Sequence, residues 1–227
     1  TSEGRASLAF PCALGEAFGQ KVGKTMNDHD KTILRDLAKQ YAEVAAHPLQ
    51  DERRTLWRKH NSLKKTRPLI YVRAFAWKEM PQAQCLCKDP FARGYEDFFR
   101  RHLFWNRFDD DSVFEPWVTI QARRVCNGWG MAGQRHFGDE PGGSFKVDYP
   151  IKDLSDIEKL RTPWHEVDEA GTSEDAERLT DAIGDLITIN IDRGPSYRMW
   201  TGDISTDLGY LRGIEHFMMD MLDNPEW

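Results

Sequence analysis

The amino-acid sequence predicts an α/β protein, on three observations about the distribution of its apolar residues. Segments with apolar residues at helical spacing alternate with short, continuous apolar runs. Three such runs stand at residues 67–75, 112–120 and 186–192, and a helical pattern follows each of them. Because short apolar runs between helices indicate strands buried on both faces, we expect a mostly parallel sheet. This order is compatible with a (β/α)-barrel or a doubly wound sheet, and periodicity does not choose between them.

Composition and charge indicate a globular protein that acts on a small molecule. Hydrophobic residues make up 40% and charged residues 30% of the 227 residues, which suits a packed core rather than a disordered chain. The net charge of -6 argues against nucleic acid or an anionic membrane as the partner. No apolar run approaches the roughly 18 residues that a membrane-spanning helix needs. Four cysteines are too few for a disulfide framework, so we expect a cytoplasmic protein.

Two amphipathic helices are predicted near the amino end, at residues 28–46 and 50–64. The first has apolar residues at helical spacing and ends before His47-Pro48. The second is rich in Arg and Lys, but interspersed acids favour a solvated face over phosphate binding. Residues 1–25 are treated as a tail of unknown role, so the folded domain is expected to span 26–227.

A strand, a helix and a second strand come next. Pro68 opens the first strand at residues 67–75, and Asp89-Pro90 supplies an N-cap and a first-turn proline for a helix with an aromatic face. The second strand, at 112–120, contains Pro116, which predicts a bulge or an early end. We expect these two strands to be neighbours in the sheet.

The remaining elements are predicted from glycines, helix caps and apolar spacing. A glycine-rich stretch predicts a long loop or a loose hairpin at residues 126–145. Asp153 or Ser155 caps a short helix, residues 173–185 form a longer helix, and the third strand follows. Two short helices, hinged near Gly213, come last, and we expect their methionines in the core.

Candidate binding residues lie at and after the end of the first predicted strand. Parallel α/β folds place reactive groups beyond the carboxyl ends of their strands, where loops surround a ligand. Arg73 could hold a substrate carboxylate or phosphate through two parallel hydrogen bonds, and Trp77 could stack on a ring. A structural ion pair is the alternative for Arg73.

Candidate catalytic residues belong to the other two strands. Glu115 in the second strand could act as an acid, a base or an orienting group, although a structural role is favoured. Asp192 ends the third strand as the other catalytic candidate, and Arg193, Tyr197 and Trp200 follow it. Charged and aromatic residues in this order suit an anionic, flat or ring-shaped ligand. A turn-stabilising pair of Asp192 with Arg193 is the alternative.

The sequence predicts no metal site within this chain. Cys85 and Cys87 form a Cys-x-Cys pair, but a closed zinc site needs four ligands and a second cysteine pair is absent. The glycines form neither of the common phosphate-binding patterns. We therefore assign the two cysteines to packing at a helix entrance.

Four segments of the chain resemble the uroporphyrinogen decarboxylase superfamily, and the likeness extends over most of residues 28–227. The segments are RPLIYVRAFAW, CKDPFARGYEDFFRRHLFW, SVFEPWVTI and LGYLRGIEHFMMDMLDNPEW. The resemblance implies a (β/α)8 barrel with a central cleft, of which this chain holds about the first half, preceded by N-terminal helices. It also implies that the full-length parent is longer.

The same resemblance bears on the reaction. In the decarboxylases of this superfamily, the first of these motifs begins Arg-Pro and carries two arginines that bind substrate carboxylates. Arg67-Pro68 and Arg73 match its first part, whereas Trp77 stands in place of the second arginine. The resemblance therefore implies an enzyme closer to the corrinoid-linked methyltransferases, with zinc and a corrinoid protein as requirements of the parent. Porphyrinogen decarboxylation, with Arg73 holding a carboxylate and Asp192 stabilising a cationic pyrrole, is the alternative.

A non-catalytic interpretation also stays open, in which the chain is a truncated barrel or a scaffold that binds a ring-shaped ligand. An incomplete barrel would expose a sheet edge and apolar helix faces. We would then expect a homodimer or aggregation unless a partner covers these surfaces, and no activity from the chain alone.

Overall fold

The computed structural model describes residues 25–74, 76–138, 145–194 and 204–225. Within these ranges the chain folds into two compact units. The helical unit consists of the described residues up to 121 together with 169–192, and the hairpin unit consists of 122–168 and the described residues from 193 onward. None of the described helices has the length and apolar character needed to cross a membrane.

Six α-helices and six β-strands are present in the described residues. The helices are α1 (Asp28–Ala45), α2 (Leu49–Asn61), α3 (Pro90–Trp105), α4 (Glu169–Ile183), α5 (Ile204–Arg212) and α6 (Ile214–Asp223). The strands are β1 (Trp117–Gln121), β2 (Arg124–Cys126), β3 (Gln134–Phe137), β4 (Phe145–Asp148), β5 (His165–Val167) and β6 (Thr188–Asp192). Paired two by two, these described strands form three two-stranded sheets. The chain is therefore mixed α/β, while the (β/α)8 barrel stays a prediction.

Two helices of the helical unit, α1 and α3, begin where a local side chain caps the free backbone N–H groups. Asn27 caps α1 by accepting a hydrogen bond from the N–H of Asp30 at 2.9 Å. Asp89 caps α3 by accepting one from the N–H of Phe91 at 2.9 Å, and Pro90 occupies the first turn, where no N–H partner is needed. The helices predicted at the amino end and after Asp89 are confirmed.

The core of the helical unit forms between three helices and the two strands that α4 covers. Helix α1 packs against α3 and α4, and α4 packs against β1 and β6. Apolar residues spaced three or four positions apart give each helix one face toward this core. The fully buried side chains include Leu34, Phe99, Phe114, Leu179 and Ile183.

The two strands of the helical unit are parallel. Their register runs from Trp117 opposite Thr188 to Gln121 opposite Asp192. Parallel strands need a crossover connection, and α4 returns the chain into β6. The third predicted strand is confirmed, and the second is confirmed from Trp117 onward, because β1 begins only after Pro116.

The first predicted strand, at residues 67–75, is wrong. Residues 67–74, called the 67–74 segment below, form no strand, and Phe75 lies outside the described residues. Ile70 is 61% exposed and Tyr71 is 59% exposed, so the apolar run is not buried. Aspartate carboxylates, rather than a neighbouring strand, bind its backbone N–H groups. The expected pairing of the first two predicted strands is therefore also wrong, since β1 pairs with β6.

The hairpin unit contains two antiparallel strand pairs and two short helices. Strand β2 pairs with β5, and β3 pairs with β4. The β3–β4 pair confirms the loose hairpin predicted from the glycine-rich stretch. Asp153 caps a 3₁₀ turn, Leu154–Lys159, by accepting a hydrogen bond from the N–H of Ser155 at 2.9 Å. The predicted cap is confirmed, although the helix is a 3₁₀ turn.

Helices α5 and α6 meet at Gly213, as predicted. Gly213 has a φ of +84°, in the region that favours glycine because other residues carry a Cβ atom. The expected burial of the α6 methionines is wrong. Each of the three is more than half exposed, namely Met218, Met219 and Met221. The apolar residues of α6 therefore lie at the surface instead of in a core.

Replacing Gly213 by Ala is expected to lower the free energy of unfolding by about 2 kcal/mol. The positive φ opposes a side chain, and an added Cβ would lie 2.6 Å from the ring of Tyr149. Gly209→Ala in α5 is the matched control, since nothing lies within 4 Å of its added Cβ and Ala favours a helix by up to about 1 kcal/mol. Urea unfolding measures both variants. Equal stabilities would show that the hinge does not depend on glycine.

Candidate ligand-binding pocket

The helical unit contains a cavity of about 500 Å³ with mostly aromatic walls. A cavity of this size accommodates a small organic molecule. Helix α2, the carboxyl end of α3, the 67–74 segment and the residues just before β1 surround it. The lining residues are Trp57, Tyr71, Arg73, His102, Trp105, Ser112, Val113 and Phe114.

Two of the three consecutive aspartates at residues 109–111, called the acidic turn, hold the 67–74 segment beside the cavity; these are Asp110 and Asp111. Asp111 accepts hydrogen bonds from Arg67 Nη1 at 2.7 Å and from the N–H of Ile70 at 2.8 Å. The hydrogen-bonded Arg67 guanidinium lowers the pKa of Asp111 to about 2. Arg67 therefore has a structural role here, because its guanidinium is occupied by the acidic turn.

Asp110 binds the same segment at Val72, two residues after the contact of Asp111 with Ile70. It accepts hydrogen bonds from the N–H of Val72 at 2.6 Å and from the N–H of Ser112 at 2.9 Å. Burial alone would raise the pKa of Asp110, but the hydrogen bonds from Ser112 and Val72 outweigh it and lower that pKa. The ionised carboxylate lies 3.8 Å from Nη1 of Arg73 and helps to hold this guanidinium in place.

Two aromatic rings and two hydrogen bonds hold the guanidinium of Arg73. Its central carbon lies 3.2 Å from the ring centroid of Tyr71 and 4.1 Å from that of Trp105. Nη1 donates to the carbonyl of Val72 at 2.7 Å and to Oγ of Ser112 at 3.0 Å. Nη2 and Nε make no hydrogen bond within the described residues, and the side chain is 27% exposed. The edge formed by Nη2 and Nε is thus open in the sense that it has no hydrogen-bond partner in the described residues, and such an edge can bind a carboxylate through two hydrogen bonds.

His102 supplies a hydrogen-bond acceptor, whereas Arg73 supplies donors. Its Nδ1 lies 2.7 Å from the carbonyl of Phe98, one helical turn earlier. Burial, with smaller contributions from Arg101 and Arg73, lowers the pKa of His102 to about 4. The imidazole is therefore neutral near pH 7. Because a carbonyl can only accept, Nδ1 carries the proton and Nε2 is left as a hydrogen-bond acceptor.

Two tryptophans form walls of the cavity. Nε1 of Trp57 donates to the carbonyl of Asp111 at 2.7 Å, which fixes this indole to the acidic turn. Nε1 of Trp105 is buried and has no hydrogen-bond partner in the described part of the chain. A buried, unpaired N–H is unfavourable unless water or a ligand accepts from it.

Acidification should destabilise the protein through His102. Its folded pKa of about 4 lies below the ordinary value of 6.5, so the unfolded chain binds the proton more readily between these values. The stability contribution of the neutral ring is complete above pH 6.5 and is lost as the pH falls toward 4. The stability gap between the wild type and His102→Gln should therefore shrink by at most about 3 kcal/mol over this range. Urea unfolding at successive pH values measures the gap, and a constant gap would contradict the prediction.

Two other residues proposed from the sequence have structural partners outside the cavity. Trp77 is buried, and its Nε1 donates to Oδ1 of Asp97 at 2.7 Å. Glu115 accepts a hydrogen bond from Nε of Arg54 at 2.9 Å in an ion pair. Three candidate site residues were named from the first two predicted strands, namely Arg73, Trp77 and Glu115. Of these three, Arg73 is the one that lines the cavity.

The residues proposed at and after the end of the third strand are Asp192, Arg193, Tyr197 and Trp200. Asp192 ends β6 and accepts a hydrogen bond from Nε2 of Gln121 at 3.2 Å. Arg193, the next residue, is exposed. Tyr197 and Trp200 lie outside the described residues.

The two expected catalytic carboxylates are not brought together. Glu115 precedes β1 and Asp192 ends β6, and the two strands run in parallel and in register. Five residues of strand, about 16 Å, separate the two ends. Glu115 and Asp192 therefore lie at opposite ends of the strand pair and do not form one acid/base site.

His102 and Trp105 belong to the aromatic face that the sequence predicts for the helix after Asp89-Pro90. A separation of three positions puts them on one side of the helix, which the sequence does show. It does not show whether that side meets a core or a cavity. The cavity forms because the acidic turn and the 67–74 segment close around this end of α3, and no local pattern predicts that approach.

The superfamily resemblance implies zinc for a full-length parent, and zinc requires a set of His, Cys, Asp or Glu ligands. The described residues contain no group of three or more His, Cys, Asp or Glu side chains that could hold a metal ion. Cys85 and Cys87 are free thiols, and burial raises the pKa of Cys87.

Comparison of the chain with protein-family models, curated proteins and solved structures finds no match. Function must therefore be inferred from the geometry of the pocket and from the sequence motifs.

Proposed function

We propose that this chain carries the substrate pocket of an enzyme that acts on a small, planar, carboxylate-bearing molecule. The observation that carries the proposal is the open Nη2 and Nε edge of Arg73, held rigidly at an aromatic-walled cavity of about 500 Å³. The guanidinium edge suits the anion, and the indole and phenol rings suit a flat ring.

Arg73→Gln is expected to weaken benzoate binding by about 10- to 100-fold, since hydrogen bonds to charged groups contribute roughly 1.5 to 3 kcal/mol. Isothermal titration calorimetry with benzoate and with neutral benzamide measures the effect, and benzamide should bind weakly to both proteins. Arg58→Gln, on the exposed face of α2, removes the same charge outside the cavity and is the matched control. Equal losses in the two variants would contradict a role for Arg73.

Within the uroporphyrinogen decarboxylase superfamily, we favour the corrinoid-linked methyltransferase type for the full-length parent. A porphyrinogen carries many carboxylates and calls for several cationic side chains. Trp77 replaces the second arginine of the decarboxylase motif and is buried against Asp97, while Arg67 is paired with Asp111. This leaves Arg73 as the cation named from that motif with an open edge, which supports a ligand with a single carboxylate.

The reaction type is tested with the complete reading frame that encodes this chain. Stoichiometric zinc together with methyl transfer to or from a corrinoid protein is the expected result. Release of carbon dioxide from a porphyrinogen by a metal-free protein would instead establish the carboxy-lyase alternative.

A non-catalytic scaffold is the second candidate, favoured by one observation. The two carboxylates expected to act as acid and base, Glu115 and Asp192, lie at opposite ends of the strand pair. A scaffold would bind benzoate through Arg73 without converting any substrate. The exposed apolar residues of α6 also support self-association, which sedimentation of the chain over a range of concentrations would detect.

A further inference from the structure

The pocket offers a ligand two different polar groups, a donor edge and an acceptor atom. Arg73 presents Nη2 and Nε as donors. His102 has its Nδ1 engaged with the carbonyl of Phe98 at 2.7 Å, and its Nε2 makes no hydrogen bond within the described residues. A ligand that uses both groups would carry an acceptor and a donor.

The His102 ring is fixed so that its two nitrogens cannot exchange places. Its centroid lies 4.0 Å from that of Phe98 and 5.0 Å from that of Trp105. Tyr41 and Phe114 lie against it at 6.0 Å and 6.1 Å. Rings on several sides, together with the hydrogen bond to Phe98, oppose the half-turn that would swap Nδ1 with Nε2. The acceptor is therefore preorganised rather than one of two alternating states.

We propose that the pocket selects an aromatic carboxylate that also bears a hydroxyl group, and that His102 is the specificity-determining residue. This inference rests on the proposed function. The carboxylate binds the open edge of Arg73, and the hydroxyl donates its hydrogen bond to Nε2 of His102. A hydroxyl taken from water into aromatic surroundings is unfavourable unless it finds such an acceptor. An unsubstituted aromatic carboxylate would bind Arg73 and leave Nε2 unpaired.

Two substitutions separate the specificity role of His102 from its structural one. The side-chain amide of Asn reaches about as far as Nδ1, so His102→Asn keeps a donor for the Phe98 carbonyl and removes the acceptor at Nε2. The longer Gln side chain reaches about as far as Nε2, so His102→Gln keeps an acceptor there. A merely structural role would affect all ligands alike, whereas a specificity role changes the ratio of affinities between two ligands.

The experiment is calorimetric titration at pH 7 with benzoate and with its 2-, 3- and 4-hydroxy derivatives. At least one hydroxybenzoate should bind the wild type about tenfold more tightly than benzoate, the gain of one well-made hydrogen bond. His102→Asn should lose this tenfold preference, and His102→Gln should retain most of it. Benzoate, which does not use Nε2, is the reference ligand in each protein, so the preference is the ratio of the hydroxybenzoate and benzoate affinities within one protein. Thermal unfolding of each variant, carried out beside the titrations, establishes that the titrated protein is folded.

The outcomes separate this inference from the proposed function. If benzoate binds through Arg73 but no hydroxybenzoate binds more tightly, or if the preference survives His102→Asn, the role of His102 is overturned and the carboxylate pocket stands. If the wild type binds neither benzoate nor any hydroxybenzoate, the proposed function fails together with the inference.

Discussion

Replacing Glu96 by Gln is expected to lower the free energy of unfolding by about 3 kcal/mol. Glu96 lies on α3 and is fully buried. Its carboxylate accepts hydrogen bonds from the N–H groups of Leu86 at 2.8 Å and Cys87 at 2.7 Å, and from Nε of Arg100 at 2.8 Å. Gln keeps one acceptor oxygen, but its amide group would face N–H donors and leave the Arg100 charge without a counter-ion.

The pH dependence of this effect follows from the pKa of Glu96. Burial alone would raise that pKa, but the hydrogen bonds from Cys87, Leu86 and Arg100 lower it below its ordinary value. A carboxylate with a lowered folded pKa stabilises the protein above its unfolded pKa, and this contribution is lost as the pH falls through the folded value. The difference between the wild type and Glu96→Gln should therefore be complete at pH 7 and shrink below about pH 4.

Urea unfolding at pH 7 measures the effect of Glu96→Gln. Glu43→Gln on the exposed face of α1 makes the same chemical change and should alter stability by less than about 0.5 kcal/mol. Similar values for the two substitutions would show that the buried carboxylate does not hold the loop before α3.

Phe99→Ala should lower the free energy of unfolding by about 4 kcal/mol, the largest loss that we expect from one substitution. Phe99 belongs to α3 and has no exposed surface. Its ring packs against that of Tyr41 in α1, at a centroid distance of 5.5 Å. Removing its ring would leave a cavity between two helices that are held in place by several other contacts. Because these helices cannot move together to fill the cavity, the lost packing is not regained. The loss therefore includes both the apolar burial and the cavity.

Phe108→Ala is the control for Phe99→Ala. Phe108 is 38% exposed and contacts Phe104 at 5.4 Å, so its removal should lower stability by less than about 1.5 kcal/mol. Thermal or urea unfolding measures both variants. A loss for Phe99→Ala no larger than that for Phe108→Ala would show that the contact between α1 and α3 does not form the core of this unit.

Local signals predicted the parts of the fold that depend on neighbours in sequence. Asp89-Pro90 marks the start of α3 because an N-cap and a first-turn proline act within one turn, and Gly213 marks the break between α5 and α6 because its φ is positive. The 67–74 segment was mispredicted because its apolar residues resemble a buried strand. Its actual partners, the aspartates of the acidic turn, lie about 40 positions later in the chain.

The sequence predicted one residue of the candidate site, Arg73, but not the residues that surround it. Arg73 was proposed because a guanidinium after an apolar run suits a carboxylate, and the structure places it in the cavity wall. Its neighbours come from α2, from α3 and from the residues before β1, so their approach depends on tertiary packing. Which nitrogen of His102 accepts a hydrogen bond also depends on its contact with Phe98, which the sequence alone does not specify.

We propose Arg73 as the residue that binds the carboxylate of a flat ligand in the aromatic cavity. The most direct measurement is a crystal structure of the protein with 4-bromobenzoate, whose bromine atom is located by anomalous scattering. We predict a carboxylate within hydrogen-bonding distance of Nη2 and Nε of Arg73, with the ring between the indoles of Trp57 and Trp105. A cavity without ligand at saturating concentration, or a carboxylate bound to other cations at the surface, would contradict the claim.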